Sequence, residues 1–141
     1  MLPKSRVKYI QSLGDKKSRQ EAGEFIIEGP KLLDECLQSD PARINAVYAL
    51  DAWLEAHKDL LKKVPASIVH PVSPEELEKI SALQTPNQVL ALALKPAPVQ
   101  APGRIESPVL VLDAIQDPGN LGTLIRTADW FGLEHVVCGP G

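Results

Sequence analysis

The chain has 141 residues, 44% hydrophobic and 23% charged, ordinary values that leave room for one domain or a small domain plus part of another. No apolar run approaches the ~20 residues of a membrane-spanning helix. The opening MLPKSRVKYI lacks the apolar stretch of a secretory signal, so a cytoplasmic protein is expected. Net charge is −3, yet residues 1–31 carry seven cations (Lys4, Arg6, Lys8, Lys16, Lys17, Arg19, Lys31) against four acids (Asp15, Glu21, Glu24, Glu28), a local +3 that leaves −6 for the rest. A basic patch on an acidic body can still bind phosphates, because screening confines each field to about 10 Å. Cys36 and Cys138 form no CxxC or zinc spacing, and both are expected to be buried hydrophobes. With His57, His70 and His135 isolated from one another, no metal site is expected.

Residues 5–13 read as a short helix with Val7, Ile10 and Leu13 on one face and Gly14 as its stop. The next ten, DKKSRQEAGE, read as a polar, turn-rich loop. Phe25-Ile26-Ile27 suits a buried strand, and Pro30 sits where a helix tolerates proline, in its first turn, ahead of an apolar stripe of Leu32, Leu33, Cys36 and Leu37. Residues 44–50 are strand-like, and Asp51 can cap a helix carrying Trp53, Leu54, Leu60 and Leu61. Another strand is expected at 67–69. Ser73 and Glu76 form a capping box that starts a helix running to about Leu83, and 89–94 closes the region as a strand. Residues 1–94 thus predict a compact α/β domain. The following 95–108, KPAPVQAPGRIESP, is proline-rich and reads as an extended linker.

Residues 109–141 read as one β-α-β unit. Val109-Leu110-Val111-Leu112 has the continuous aliphatic character of a parallel strand buried on both faces. A loop at 113–119 leads into a helix from about Asn120 to Gly132, with Leu124, Ile125, Ala128 and Phe131 on its apolar side, and 135–138 is the next strand. Two strands and one helix bury too little to fold alone, so this region predicts a piece of a larger domain.

The most informative stretch is VLDAIQDPGNLGTLIRTADWFG, residues 111–132. It puts a Pro-Gly turn at the carboxyl end of a strand, where open α/β sheets bind ligands. Asn120 stands at the helix start, Gly122 permits close backbone approach, and Arg126 lies on the second turn, on the side that can reach back toward the loop. Taken singly, Asn120 reads as an N-cap, Gly122 as a packing residue and Arg126 as a solvated charge. The spacing is neither GxGxxG nor a P-loop.

As a string, however, Asp117, Pro118, Gly119, Asn120, Gly122 and Arg126 after a hydrophobic strand resemble motif 1 of the SpoU (TrmH-like) RNA ribose 2′-O-methyltransferases of the SPOUT superfamily. Arg126-Thr127-Ala128-Asp129 and Gly132 fit as well. Upstream, Lys16-Lys17-Ser18-Arg19 and the run from Phe25 through Glu28-Gly29-Pro30-Lys31-Leu32 resemble the substrate-binding domain of many such enzymes, whose fold is similar to that of RNA-binding ribosomal proteins. Thr85-Pro86 also fits, with Gln88 where a glycine is common; that departure touches a loop and no catalytic role. The resemblance implies methyl transfer from S-adenosylmethionine to a ribose 2′-hydroxyl of RNA, with Arg126 and Asn120 as catalytic-site residues. It implies Arg126 as the group acting on that hydroxyl. Because a guanidinium stays protonated, holding the target phosphate and orienting the hydroxyl is the safer role. Asn120 is implied to brace the loop and a nearby homodimer interface, and Lys16, Lys17, Arg19 and Lys31 are candidates for RNA-phosphate contacts. The family's donor pocket, a trefoil knot, is built from motifs expected beyond Gly141, so these residues alone are expected neither to bind the donor nor to methylate RNA. The alternative is a short RNA-binding module without catalysis.

Overall fold

A computed structural model describes residues 1–97, 103–104 and 106–139. The chain forms two compact units, Met1–Ala97 and Pro98–Gly141.

The first unit is built on a four-stranded mixed sheet. Its strands are β1 (Glu24–Glu28), β2 (Ile44–Ala49), β3 (Val69–Pro71) and β4 (Val89–Leu94), in the order β1-β4-β2-β3. β4 lies antiparallel to both β1 and β2, whereas β2 and β3 run parallel. The sequence VLALAL explains the central place of β4: both of its faces are apolar, so it must be covered on both sides. Val89, Ala91 and Ala93 face one core with Ile27, Leu33, Leu37, Val47 and Trp53. Leu90 and Leu92 face the other with Ile10, Leu13, Tyr48, Leu77 and Ile80. Helices α1 (Lys4–Ser12) and α6 (Pro74–Ile80) therefore cover one face, and α3 (Pro30–Ser39), α4 (Asp51–Ala56) and α5 (Lys58–Leu61) cover the other. The register shift between Ile44 and Ala46 lets Asn45 bulge outward, which puts Ile44 on the same face as Val47.

Beside the bulge, buried Glu24 accepts hydrogen bonds from the Tyr9 hydroxyl and from Asn45 Nδ2, tying α1 to both strands. Arg6 donates from Nε to the Tyr48 hydroxyl (2.5 Å) and lies 5.2 Å from the Tyr9 ring centroid. The Glu24 hydrogen bond, burial and the Glu24 charge push the Tyr9 phenol up to about 12.

Several local expectations need correction. The stretch after Gly14 is a helix, α2 (Lys16–Ala22), capped by Asp15, whose side chain accepts from the Ser18 amide, and closed by Gly23 at φ 65°. The helix expected from Asp51 onward divides into α4 and α5 at His57, whose Nδ1 bonds the Trp53 carbonyl at 2.8 Å while its ring stacks on Trp53. Asp51 is the first helical residue and caps nothing. The strand expected at 67–69 starts at Val69, after a single turn of 3-10 helix at 66–68; as an edge strand it accommodates Pro71. The Ser73–Glu76 capping box forms as expected, but α6 stops at Ile80. The expected linker at 95–108 falls partly outside the described residues.

In the second unit, β5 (Val109–Leu112) and β6 (His135–Cys138) pair in parallel, linked through α7 (Pro118–Trp130). Among the described residues Val111 is 67% exposed and Leu112 is buried. Ile125 and Phe131, expected on an apolar side, are exposed, while Ala128 is buried. Cys138 is exposed and Cys36 half-buried, against the expectation that both lie inside. Burial raises the Cys36 thiol pKa. No helix among the described residues is long and apolar enough to cross a membrane.

Candidate functional site

The motif residues gather at the carboxyl ends of β5 and β6. Asp117, not Asn120, is the N-cap of α7: its Oδ2 accepts from the Asn120 amide at 2.7 Å, and Pro118 takes the first helical position. A β-carbon at Gly119 would lie 3.1 Å from that same Oδ2, so glycine there leaves the cap undisturbed. Asn120 sits in the first turn with its side chain exposed. Arg126 points back along the helix toward its N-terminus: its Nη2 lies 4.0 Å from where a Gly122 β-carbon would be. Gly122 thus leaves a bare strip of helix for the guanidinium. Arg126 is exposed and has no ion pair among the described residues. Helix amides that carry partial positive charge and a free guanidinium stand on the same side, an arrangement suited to an anion such as a phosphodiester.

Two further residues at this end carry no role from sequence reasoning. Ala114, right after β5 and Asp113, adopts φ 52°, a left-handed conformation uncommon for a residue with a side chain. A β-carbon at Gly139, which follows β6, would lie 3.0 Å from Asp113 Oδ1. The signal available beforehand was a lone acid at a strand's carboxyl end.

In the first unit, Lys16, Lys17 and Arg19 share α2. Lys16 and Lys17 are exposed, and Lys17 pairs loosely with Glu21 at 3.9 Å. Arg19 is partly committed to the fold: its Nη1 donates to the Leu13 and Gly14 carbonyls at 3.0 and 2.7 Å, satisfying the end of α1. Lys31 stands apart, exposed in the first turn of α3 on the opposite face of the sheet from α1. There it lines a cleft of about 330 Å³ with Asp34, His57 and Asp59. Glu28 and Gly29 of the same sequence run are structural. Glu28 accepts from Ser81 Oγ and the Ala82 amide, and Gly29 at φ 102° packs against Asn87. No group of three metal-ligating side chains comes together among the described residues.

Residues 4–91 match the model of the MRM3-like substrate binding domain. The chain belongs to the SpoU/TrmH family. It is 34% identical over 141 residues to the 23S rRNA (guanosine(2553)-2'-O)-methyltransferase RlmP of Bacillus subtilis, covering 96% of this chain and 52% of that protein. An RNA methyltransferase of the TrmH family from Porphyromonas gingivalis superposes with a TM-score of 0.80 at 35% identity, over 100% of this chain and 53% of that one. An AdoMet-bound rRNA methyltransferase from Sinorhizobium meliloti does so at 0.79 and 27% identity, over 99% and 53%. The chain therefore spans about half the length of these SpoU/TrmH relatives. Its mixed α/β architecture is shared with these solved structures.

Proposed function

We propose that this chain supplies the RNA-binding and motif 1 parts of an S-adenosylmethionine-dependent ribose 2′-O-methyltransferase acting on rRNA or tRNA. In this reading residues 1–94 bind the RNA, 95–108 link, and 109–141 begin the methyltransferase domain. The observation that carries it is the exposed Arg126 guanidinium, folded over Gly122 toward the capped N-terminus of α7, in a chain similar to 2′-O-methyltransferases over nearly its whole length. A guanidinium fork binds a phosphodiester in a fixed orientation, and holding the target phosphate fixes the neighbouring 2′-hydroxyl for attack. Asn120 braces the loop. Lys16, Lys17, Arg19 and Lys31 contact phosphates along the RNA, with Arg19 able to spare only part of its fork. S-adenosylmethionine supplies an electrophilic methyl group. The open, polar end of the second unit suits the face that meets the RNA, and no residue described here is assigned to hold the adenosyl group. A homodimer in the cytoplasm belongs to the same proposal.

The test is a methyl-transfer assay with the full-length gene product, radiolabelled S-adenosylmethionine and ribosomal or transfer RNA. Label is expected at a ribose. Replacing Arg126 with Ala should lower the rate by about 100-fold or more, a size typical of lost positioning. Unchanged labelling in that variant, or none in the wild type, refutes the reading.

A further inference from the structure

We propose that the cleft between α3 and the break from α4 to α5 takes one unpaired base of the substrate RNA, guanine by preference, stacked on His57. The inference rests on the RNA methyltransferase reading above. β1, β2 and β3 all run in one direction, because β4 is antiparallel to β1 and β2, and β3 is parallel to β2. α3 and α4 therefore start at the same carboxyl edge of the sheet and cover the same face. The first turns of α3 bring Lys31 and Asp34 to the cleft, and the end of α4 brings His57. At about 330 Å³ the cleft stands at the low end of the ~300–1,000 Å³ range of small-ligand sites, a size for one base and not for a duplex.

A single-stranded base is recognised by a flat ring to stack on and by hydrogen bonds to its edge. The cleft offers both. The His57 and Trp53 ring centroids lie 4.2 Å apart with the planes at 13°, and Trp53 is held in the core, so the imidazole is supported from behind. Its Nδ1 meets the Trp53 carbonyl at 2.8 Å, which fixes the ring's rotation. A ring locked this way and half-exposed in a cleft loses little freedom when a base settles on it. Pro30 and Leu60 add apolar walls. At the edge, Asp34 is half-buried and its Oδ1 accepts from Gln38 Nε2 at 2.9 Å, while Oδ2 accepts nothing among the described residues. Asp59 differs, because Lys62 Nζ lies 2.6 Å from its Oδ1. The open carboxylate of Asp34 repels a phosphodiester and calls for N–H donors. Guanine alone of the four bases sets two such donors side by side on its Watson–Crick edge. Lys31 is exposed, without an ion pair among the described residues, and serves the adjoining phosphate. No motif residue lines the cleft, so its role is recognition and not methyl transfer.

The experiment measures binding of the full-length protein to short single-stranded RNAs, uridine throughout except for a central guanosine, adenosine or cytidine, with an all-uridine control. The guanosine probe is expected to bind about tenfold more tightly than the control. Asp34→Asn should shrink that preference to about twofold or less and leave the all-uridine affinity unchanged. His57→Ala should weaken the guanosine probe by about tenfold, the worth of one stacked base, and His57→Phe, which keeps a ring, should retain most of the affinity. Lys31→Ala should weaken every probe alike and reduce the salt slope by about one. Should His57→Ala fail to fold, His57→Leu is read in its place. Equal affinity for all probes, preference for another base, or a guanosine preference that survives Asp34→Asn overturns the cleft. So does His57→Ala within about twofold of wild type, or a phenylalanine no better than the alanine. In each of these cases RNA methylation by the wild type leaves the broader reading standing. A wild type that neither prefers guanosine nor methylates RNA overturns both.

Discussion

Changing Tyr9 to Phe removes one hydroxyl and leaves the ring packed between α1 and the sheet. The lost hydrogen bond runs to Glu24, a carboxylate only 5% exposed that also accepts from Asn45 Nδ2. Hydrogen bonds to charged groups contribute about 1.5–3 kcal/mol net, and the half-exposed position of Tyr9 argues for the lower end. Tyr9→Phe should therefore cost about 1.5 kcal/mol, a drop of roughly 6–12 °C in Tm for a domain of this size. Glu24→Gln keeps the shape but weakens the acceptor. If the two groups act through one another, the double variant should cost less than the sum of the singles, by about 1 kcal/mol. Urea denaturation followed by far-UV circular dichroism measures all four corners of the cycle. Additivity within about 0.3 kcal/mol would mean that the pair is geometrically close and energetically idle, and the argument would fail.

The same network sets an alkaline limit. The Tyr9 phenol is raised in the folded state to about 12, so its stabilisation is intact below the ordinary tyrosine value of about 10 and is lost as pH rises through about 12. Tyrosinate absorbance should show one late-titrating tyrosine that moves earlier in Glu24→Gln. Leu92→Ala, at a fully buried position of the central strand, should cost about 2–5 kcal/mol by denaturant titration. Gly29→Ala must hold φ 102° with its new methyl 3.3 Å from Asn87 Nδ2, so it should cost more than about 1 kcal/mol in the same titration.

Sequence patterning located five of the strands to within a residue because each is short, largely apolar and bounded by turn residues, whereas β3, Val69–Pro71, shares only Val69 with the strand expected at 67–69. It missed α2 for a physical reason: KKSRQEA buries none of its residues, so no hydrophobic period marks it. Its signal lay in the ends, Asp15 as cap and Gly23 as a left-handed stop. The break at His57 was hidden because Trp53, Leu54, Leu60 and Leu61 keep an acceptable helical spacing; a ring stacking on Trp53 is a tertiary event. At the motif, the string identified the family, while local chemistry misassigned the cap. Both Asp117 and Asn120 are good capping residues, and Pro118 at the first helical position decides for Asp117. Cys138 shows the limit of residue preference: cysteine favours interiors, but the outer face of β6 is open among the described residues. The Asn45 bulge carries no pattern of its own, yet it decides which core receives Ile44.

The chain's two tryptophans fall one in each unit: Trp53, on the core-facing side of α4, is 2% exposed, and Trp130 is 85% exposed at the end of α7. An indole shielded from water emits at shorter wavelength than a solvated one and resists quenching by dissolved iodide. The protein therefore carries two native optical reporters with separable signals. Trp53 also stacks on the His57 ring, which lines the same cleft as Lys31. Its emission is thus expected to change with whatever enters that cleft, while Trp130 reports separately on the end of α7.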